Sequence, residues 1–154
     1  MTTTTLSILP EQIDALLTGE TNQVANLANA AALLNQSLEN INWVGFYLYD
    51  PSTDNLDLGP FQGNVACMHI QNNQGVCGTA FYNNAPLRIA NVHEFKGHIA
   101  CDSASNSELV IPINVDGQQI GVLDIDSPTL DRFSAADEQV LSAFVAKLAK
   151  HLAS

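Results

Sequence analysis

Basic residues are scarce in this 154-residue chain: five Lys and Arg stand against sixteen Asp and Glu, a formal charge of −11 at pH 7. A surface of that sign repels a phosphate backbone, which excludes nucleic acid as a partner class. Long apolar runs are missing too. No stretch approaches the roughly 18 residues a membrane span needs, and the opening MTTTTLSILP has no basic segment ahead of an apolar core, so neither a membrane nor an export route is expected. The reading is a cytoplasmic chain. Cysteine is limited to three, an odd count with no Cys-x-x-Cys pair. In a reducing compartment that argues against a disulfide scaffold and leaves free, catalytic or metal-bound thiols open. No Ser sits in a Gly-x-Ser-x-Gly elbow and no glycine-rich stretch has the phosphate-loop pattern.

The chain has the length and apolar content of one globular domain over residues 1–154. Leu9, Ile13, Leu16 and Leu17 are spaced for a short helix that stops at Gly19, and Val24, Leu27, Ala31, Leu34 and Leu38 for a longer one capped by Thr21. INWVGFYLY, residues 41–49, is β-branched and aromatic and predicts a strand ended by Asp50-Pro51. Period two sorts it into Val44, Phe46 and Leu48 on one face and Trp43, Gly45, Tyr47 and Tyr49 on the other. Strands are also predicted over residues 55–58, 62–71 and 87–92, with a short helix from Gly75. Residues 93–107 lack apolar periodicity and form a long loop of the kind that is usually functional or disordered. Two strands, 108–113 and 119–126, flank an Asp116-Gly117 hairpin signal, and Ser134 with Asp137 opens a final helix. This order implies an α+β fold: a central antiparallel sheet, the N- and C-terminal helices on one face, and a loop-covered ligand pocket on the other.

Cys101 lies in the loop GHIACDSASNS, among small and polar residues just before a β-branched strand, where a thiol can be presented rather than packed. Cys67 and Cys77 stand upstream in glycine-rich surroundings. Asp124 and Asp126 leave one face of the strand GVLDID. Periodicity alone favours these two acids facing water; if the long loop covers that face instead, Cys101 comes close to them and to Glu108. Carboxylates beside a thiol raise its pKa, which argues against a generic thiolate peptidase, unless one acid stays protonated and another holds a substrate ammonium. No basic residue offers itself for a substrate carboxylate, so backbone N–H groups would have to serve. His98-x-x-Cys101 and Cys67-x-His69 have spacings zinc tolerates, but they share no metal signature, and no metal or other cofactor is expected. His98 is expected to hydrogen-bond within its loop, and His69 and His93 to be structural.

Five segments, NWVGFYL from Asn42, LGPFQGNVAC from Leu58, GVCGTA from Gly75, GHIACDSASNSELVIPI from Gly97 and GVLDIDSP from Gly121, occur in order and cover nearly the whole chain. Together they resemble the free methionine-(R)-sulfoxide reductases, single GAF-domain enzymes. Gln74 and Lys96 depart from that pattern at positions that carry no chemistry. The resemblance implies a GAF-like fold and reduction of free L-methionine (R)-sulfoxide by thiol chemistry. It makes Cys101 the nucleophile, left as a sulfenic acid, and Cys67 the thiol that resolves it as a disulfide, with Cys77 a second candidate for that step. Glu108, Asp124 and Asp126 match acids that bind substrate and polarise or protonate its oxygen; Trp43 and Tyr47 match the aromatics around its methyl group. A thioredoxin-type reductant is implied as partner, and a homodimer is left open. The alternative is a non-catalytic GAF module that binds a small molecule in the same pocket.

Overall fold

Alternation along β1 (Trp43–Asp50) divides the molecule into two layers. Val44 and Phe46 enter one core and Trp43 and Tyr47 the other, as period two predicts, and all four are buried. The structure is a computed structural model that describes residues 6–101 and 103–153; residues 1–5, Asp102 of the long loop and Ser154 lie outside the described residues. Around β1 the strands β2 (Asn55–Gly63), β3 (His69–Gln71), β4 (Leu87–Ile89), β5 (Ser107–Val115) and β6 (Gln118–Ser127) form one sheet in the order β3-β2-β1-β6-β5-β4. Every neighbouring pair is antiparallel.

Three helices, α1 (Leu9–Leu17), α2 (Gln23–Ser37) and α4 (Ala135–Lys150), cover the Val44 face. Ile13, Leu34 and Phe144 pack there against Phe46, Leu123 and Ile125 in the larger core. Burial of side chains of this size contributes about 1.5–3 kcal/mol each and holds the layer to the sheet. A capping box opens α4: Ser134 Oγ accepts the Asp137 N–H at 3.1 Å and the Asp137 carboxylate accepts the Ser134 N–H at 2.9 Å. The cap of α2 is Asn22 rather than Thr21; its side chain accepts the Ala25 N–H at 2.9 Å, and Asn is the stronger cap. A further helix, α3 (Gly75–Asn83), lies on the opposite face, where Val76, Ala80 and Phe81 pack with Trp43, Tyr47, Val110 and Val122.

The predicted strand over residues 62–71 is not continuous. β2 runs through Gly59 and Pro60, at a register shift that spares the proline a ladder hydrogen bond, and ends at Gly63; only His69–Gln71 resumes pairing. Gly63 turns at φ +140°, and a Cβ there would press on the Trp43 ring. The Trp43 indole N–H then donates to the Asn64 carbonyl at 3.1 Å. These contacts lift residues 64–68 off the sheet, leaving Val65 and Met68 exposed. The Asp116-Gly117 hairpin is present, with positive φ at both residues (52° and 80°), as a type I′ turn requires.

Candidate active site

The sheet register aligns the site's side chains in rows. Trp43 on β1 stands opposite Asp126 on β6, which stands opposite Glu108 on β5; in the next row Gly45 faces Asp124 and Asp124 faces Val110. Because cross-strand partners share a face, the two rows bring three acids and an aromatic to one side. Gly45, with no side chain, lets Phe61 and the Trp43 ring close over it: a Cβ there would collide with Phe61 Cβ and lie 2.9 Å from the Trp43 ring. The first turn of α3 lowers Cys77 onto the rows. A pocket of about 490 Å³, its open mouth included, is bounded by Trp43, Tyr47, Cys77, His98, Cys101, Ser105, Glu108, Asp124 and Asp126, among others. Its described lining includes no Lys or Arg.

The described residues of the 92–106 loop cross the mouth, and the loop is tied down at both ends. The Val92 N–H donates to the Asn106 carbonyl at 2.9 Å, and Asn106 donates through its backbone N–H to Ser127 at 2.7 Å and through Nδ2 to Pro128 at 2.8 Å. Between these anchors the loop carries Cys101 to Cys67, and the two are joined by a disulfide with Cα atoms 5.3 Å apart. Cys67 is steadied from below, where the Tyr47 hydroxyl donates to its carbonyl at 2.9 Å. Both sulfur-bearing residues are half-buried.

Electrostatics divide the three cysteines. Cys77 is buried with Sγ 3.9 Å from Glu108 Oε2, and burial first, then Asp124 and Glu108, hold its pKa well above the usual 9.0. It is a thiol at neutral pH. Glu108 is likewise driven well above its ordinary 4.5, by burial and then by Asp124 and Asp126. Asp124 is raised by burial, but hydrogen bonds from Glu108 and Cys77 act in the opposite direction and favour its charged form. The shared proton therefore sits on Glu108. Asp124 keeps one oxygen, Oδ1, buried without a hydrogen-bond partner, a costly arrangement unless a ligand supplies one. Burial also raises the Tyr47 phenol, which stays a neutral donor.

Every residue singled out from the sequence for the site lines this pocket except Cys67, which meets it through the disulfide to Cys101. Periodicity alone points Asp124 and Asp126 to water, and the loop-covered alternative is what the structure shows: Asp124 is 5% exposed and Asp126 half-buried. Two contributors escaped the sequence reading. Phe61 stacks on Trp43 with ring centroids 5.1 Å apart; it lies in the quoted LGPFQGNVAC segment, and an aromatic facing Gly45 across the register was its signal. Ser105 is buried in the lining and accepts from Asn42 Nδ2 at 3.1 Å; nothing marks it among the small residues of its loop. The His98 ring lines the pocket and lies 6.4 Å from His93, while its backbone N–H donates to Phe95 at 3.2 Å. His69 pairs with Asp57 at 2.7 Å on the surface. Among the described residues, one group of three metal-ligand side chains converges: Cys77, Glu108 and Asp124, with ligand atoms within 4.8 Å of one another.

The GAF domain family matches residues 12–152. The free methionine-R-sulfoxide reductase of Escherichia coli is 54% identical over 146 residues, 95% of this chain and 87% of that protein. Among solved structures, fRMsr of Staphylococcus aureus in complex with substrate superposes with a TM-score of 0.90 at 49% identity, covering 96% of this chain and 95% of that one. The free methionine-R-sulfoxide reductase from Neisseria meningitidis in complex with its substrate gives a TM-score of 0.90 at 42% identity, over 94% and 86% of the two chains. With identities this high over nearly the whole of each chain, this chain belongs to the GAF-domain family and, within it, to the free methionine-R-sulfoxide reductases.

Proposed function

We propose that this chain is a cytoplasmic enzyme that reduces free L-methionine (R)-sulfoxide to L-methionine, and that the residues described above divide the work as follows. The observation that carries the assignment is a disulfide between Cys67 and Cys101 at the mouth of a pocket floored by Glu108, Asp124 and Asp126. In the reduced enzyme Cys101 attacks the sulfoxide sulfur while Glu108 gives its proton to the sulfoxide oxygen. The S–O bond of the substrate breaks, methionine leaves reduced by two electrons, and the oxygen remains on Cys101 as a sulfenic acid. Cys67 then attacks the Cys101 sulfur, the disulfide forms and the oxygen departs as water. A thioredoxin-type dithiol takes up the oxidation and restores both thiols. Cys77 is the second candidate for the resolving step, slowed there by its bound proton.

Substrate chemistry fits the same groups. The unpartnered Asp124 oxygen, with Asp126 beside it, accepts the substrate ammonium. Trp43 and Tyr47, stacked with centroids 5.8 Å apart, shelter the methyl group. Backbone N–H groups of the loop take the carboxylate. The test is turnover of each free methionine sulfoxide epimer with a dithiol reductant, comparing wild type with Cys101→Ser. Methionine from the R epimer in wild type alone is expected. Turnover that survives in Cys101→Ser removes the nucleophile assignment, and a wild type that binds the sulfoxide without converting it is a sensor.

A further inference from the structure

We propose that Cys77, Glu108 and Asp124 form a binding site for a thiophilic divalent cation, zinc by ligand type, and that the cation and the substrate exclude each other from the pocket. The binding stands on geometry alone; the competition rests on the substrate reading given above.

The three side chains come from three elements, the first turn of α3, β5 and β6, and meet at one point. Tetrahedral zinc with bonds of about 2.3 Å to sulfur and about 2.1 Å to oxygen sets its sulfur and oxygen ligands roughly 3.6 Å apart. Cys77 Sγ and Glu108 Oε2 are 3.9 Å apart, so that edge closes by a few tenths of an ångström. All three ligand atoms lie within 4.8 Å of one another, a closure within reach of small side-chain rotations. A second, independent observation points to a missing cation. Asp124 is 5% exposed, yet its Oδ1 has no hydrogen-bond partner. A metal ion supplies that oxygen with a bond.

One thiolate and two carboxylates suit zinc better than magnesium or calcium, which prefer all-oxygen shells of six or more. Three protein ligands leave the fourth tetrahedral position facing the pocket, open to water. Binding forms one Zn–S and two Zn–O bonds and sends to solvent the Cys77 thiol proton and the proton that Glu108 shares with Asp124. Metal and substrate then need the same atoms: the ion takes the Asp124 oxygen proposed for the ammonium and leaves Glu108 without a proton to give. Neither Cys67 nor Cys101 is a ligand, so the site exists while their disulfide is closed.

That last property gives the test. Chelator-treated full-length protein with the disulfide intact is titrated with Zn²⁺, and separately with Co²⁺ as a spectroscopic stand-in. One ion per chain is expected, with a thiolate-to-cobalt charge-transfer band in the near ultraviolet. Cys77→Ala should abolish the band and weaken zinc by at least the roughly tenfold that loss of even a supporting partner costs at a metal site. Glu108→Gln should weaken zinc with the band retained. In turnover assays zinc should raise the apparent KM for the sulfoxide and leave kcat unchanged. The proposal is overturned if the disulfide form takes up no stoichiometric ion, or if it does so without a thiolate band, as a surface site at the His69–Asp57 pair would. Unaltered affinity in a folded Cys77→Ala chain overturns it as well. The cobalt spectrum of wild type decides the matter even if that variant does not fold. A chain that binds cobalt through sulfur but never reduces the sulfoxide would retain this site and lose the enzymatic reading.

Discussion

Replacing Glu108 by Gln separates what its carboxyl does by shape from what it does by holding a proton. Glutamine keeps the length of the side chain and can donate to Asp124, but it has no proton to surrender. Glu108 is 6% exposed, and burial together with Asp124 and Asp126 places its pKa well above 4.5. An acid shifted in this direction is protonated in the folded chain at pH values where the unfolded chain has released the proton, so folding stability falls as pH rises. The contribution is complete below pH 4.5, the ordinary glutamate value, and declines until the folded-state pKa is passed. Within that window one such group removes about 1.4 kcal/mol of stability per pH unit. Urea unfolding of the disulfide form, repeated from about pH 5 to about pH 7, should therefore show wild type losing stability with a slope that Glu108→Gln lacks. With the reduced enzyme and free methionine (R)-sulfoxide, kcat should fall by about 10²–10⁴, the usual contribution of a positioned general acid, with a smaller change in KM. Parallel stability curves for the two chains would mean that Glu108 is ionised in the fold. That result, or a kcat close to wild type, would refute the reasoning.

Without reductant, Cys67→Ser should release one methionine per chain and then stall with a sulfenic acid on Cys101, read by mass spectrometry; a Cys77–Cys101 disulfide found there instead would assign resolution to Cys77. Tyr47→Phe removes the hydroxyl that donates to Cys67 at 2.9 Å, and should cost about 1 kcal/mol in the denaturant midpoint and slow disulfide formation in stopped-flow. At Gly45 an added Cβ would collide with Phe61 on β2 and crowd the Trp43 ring. Gly45→Ala should accordingly destabilise by about 1–3 kcal/mol and raise KM as the Trp43 ring is pushed from its place in the pocket wall. Cys67 and Cys101 are 34 residues apart, so reducing their bond should lower stability by up to about 3–4 kcal/mol, measured by urea unfolding with and without reductant.

What could be read from the sequence follows from where each pattern gets its cause. The faces of β1 were legible because Val44 and Phe46 meet a helical layer and Trp43 and Tyr47 a separate core, so alternation carries the burial. The Asp116-Gly117 hairpin and the Ser134 capping box were legible because turn and cap chemistry is local. Residues 64–68 were misread as strand because the deciding contact comes from Trp43, some twenty positions earlier. Periodicity alone could not place Asp124 in the pocket for a related reason: its cover is made by α3 and by a loop with no periodicity to announce where it lies, and only the resemblance put it there. The approach of Cys77 to Glu108, 31 residues away, is invisible to any spacing rule. The pairing of Cys67 with Cys101 was available from resemblance and not from geometry.

The separation of the thiols follows from the electrostatics of the acids. A pocket that keeps Glu108 protonated needs low polarity and like charge, and those same conditions hold a thiol in its neutral form, as they do at Cys77. A nucleophile fixed on the sheet among the acids would be disarmed by the environment that makes the acid useful. Carrying it on a loop pinned at Val92 and Asn106 avoids the conflict. Cys101 sits at the half-buried rim, free of the deepest burial yet bordering the same cavity. Its partner Cys67 likewise lies outside regular structure, between β2 and β3. Both ends of the disulfide thus lie off the sheet, while the acids stay on the strands whose burial sets their protonation.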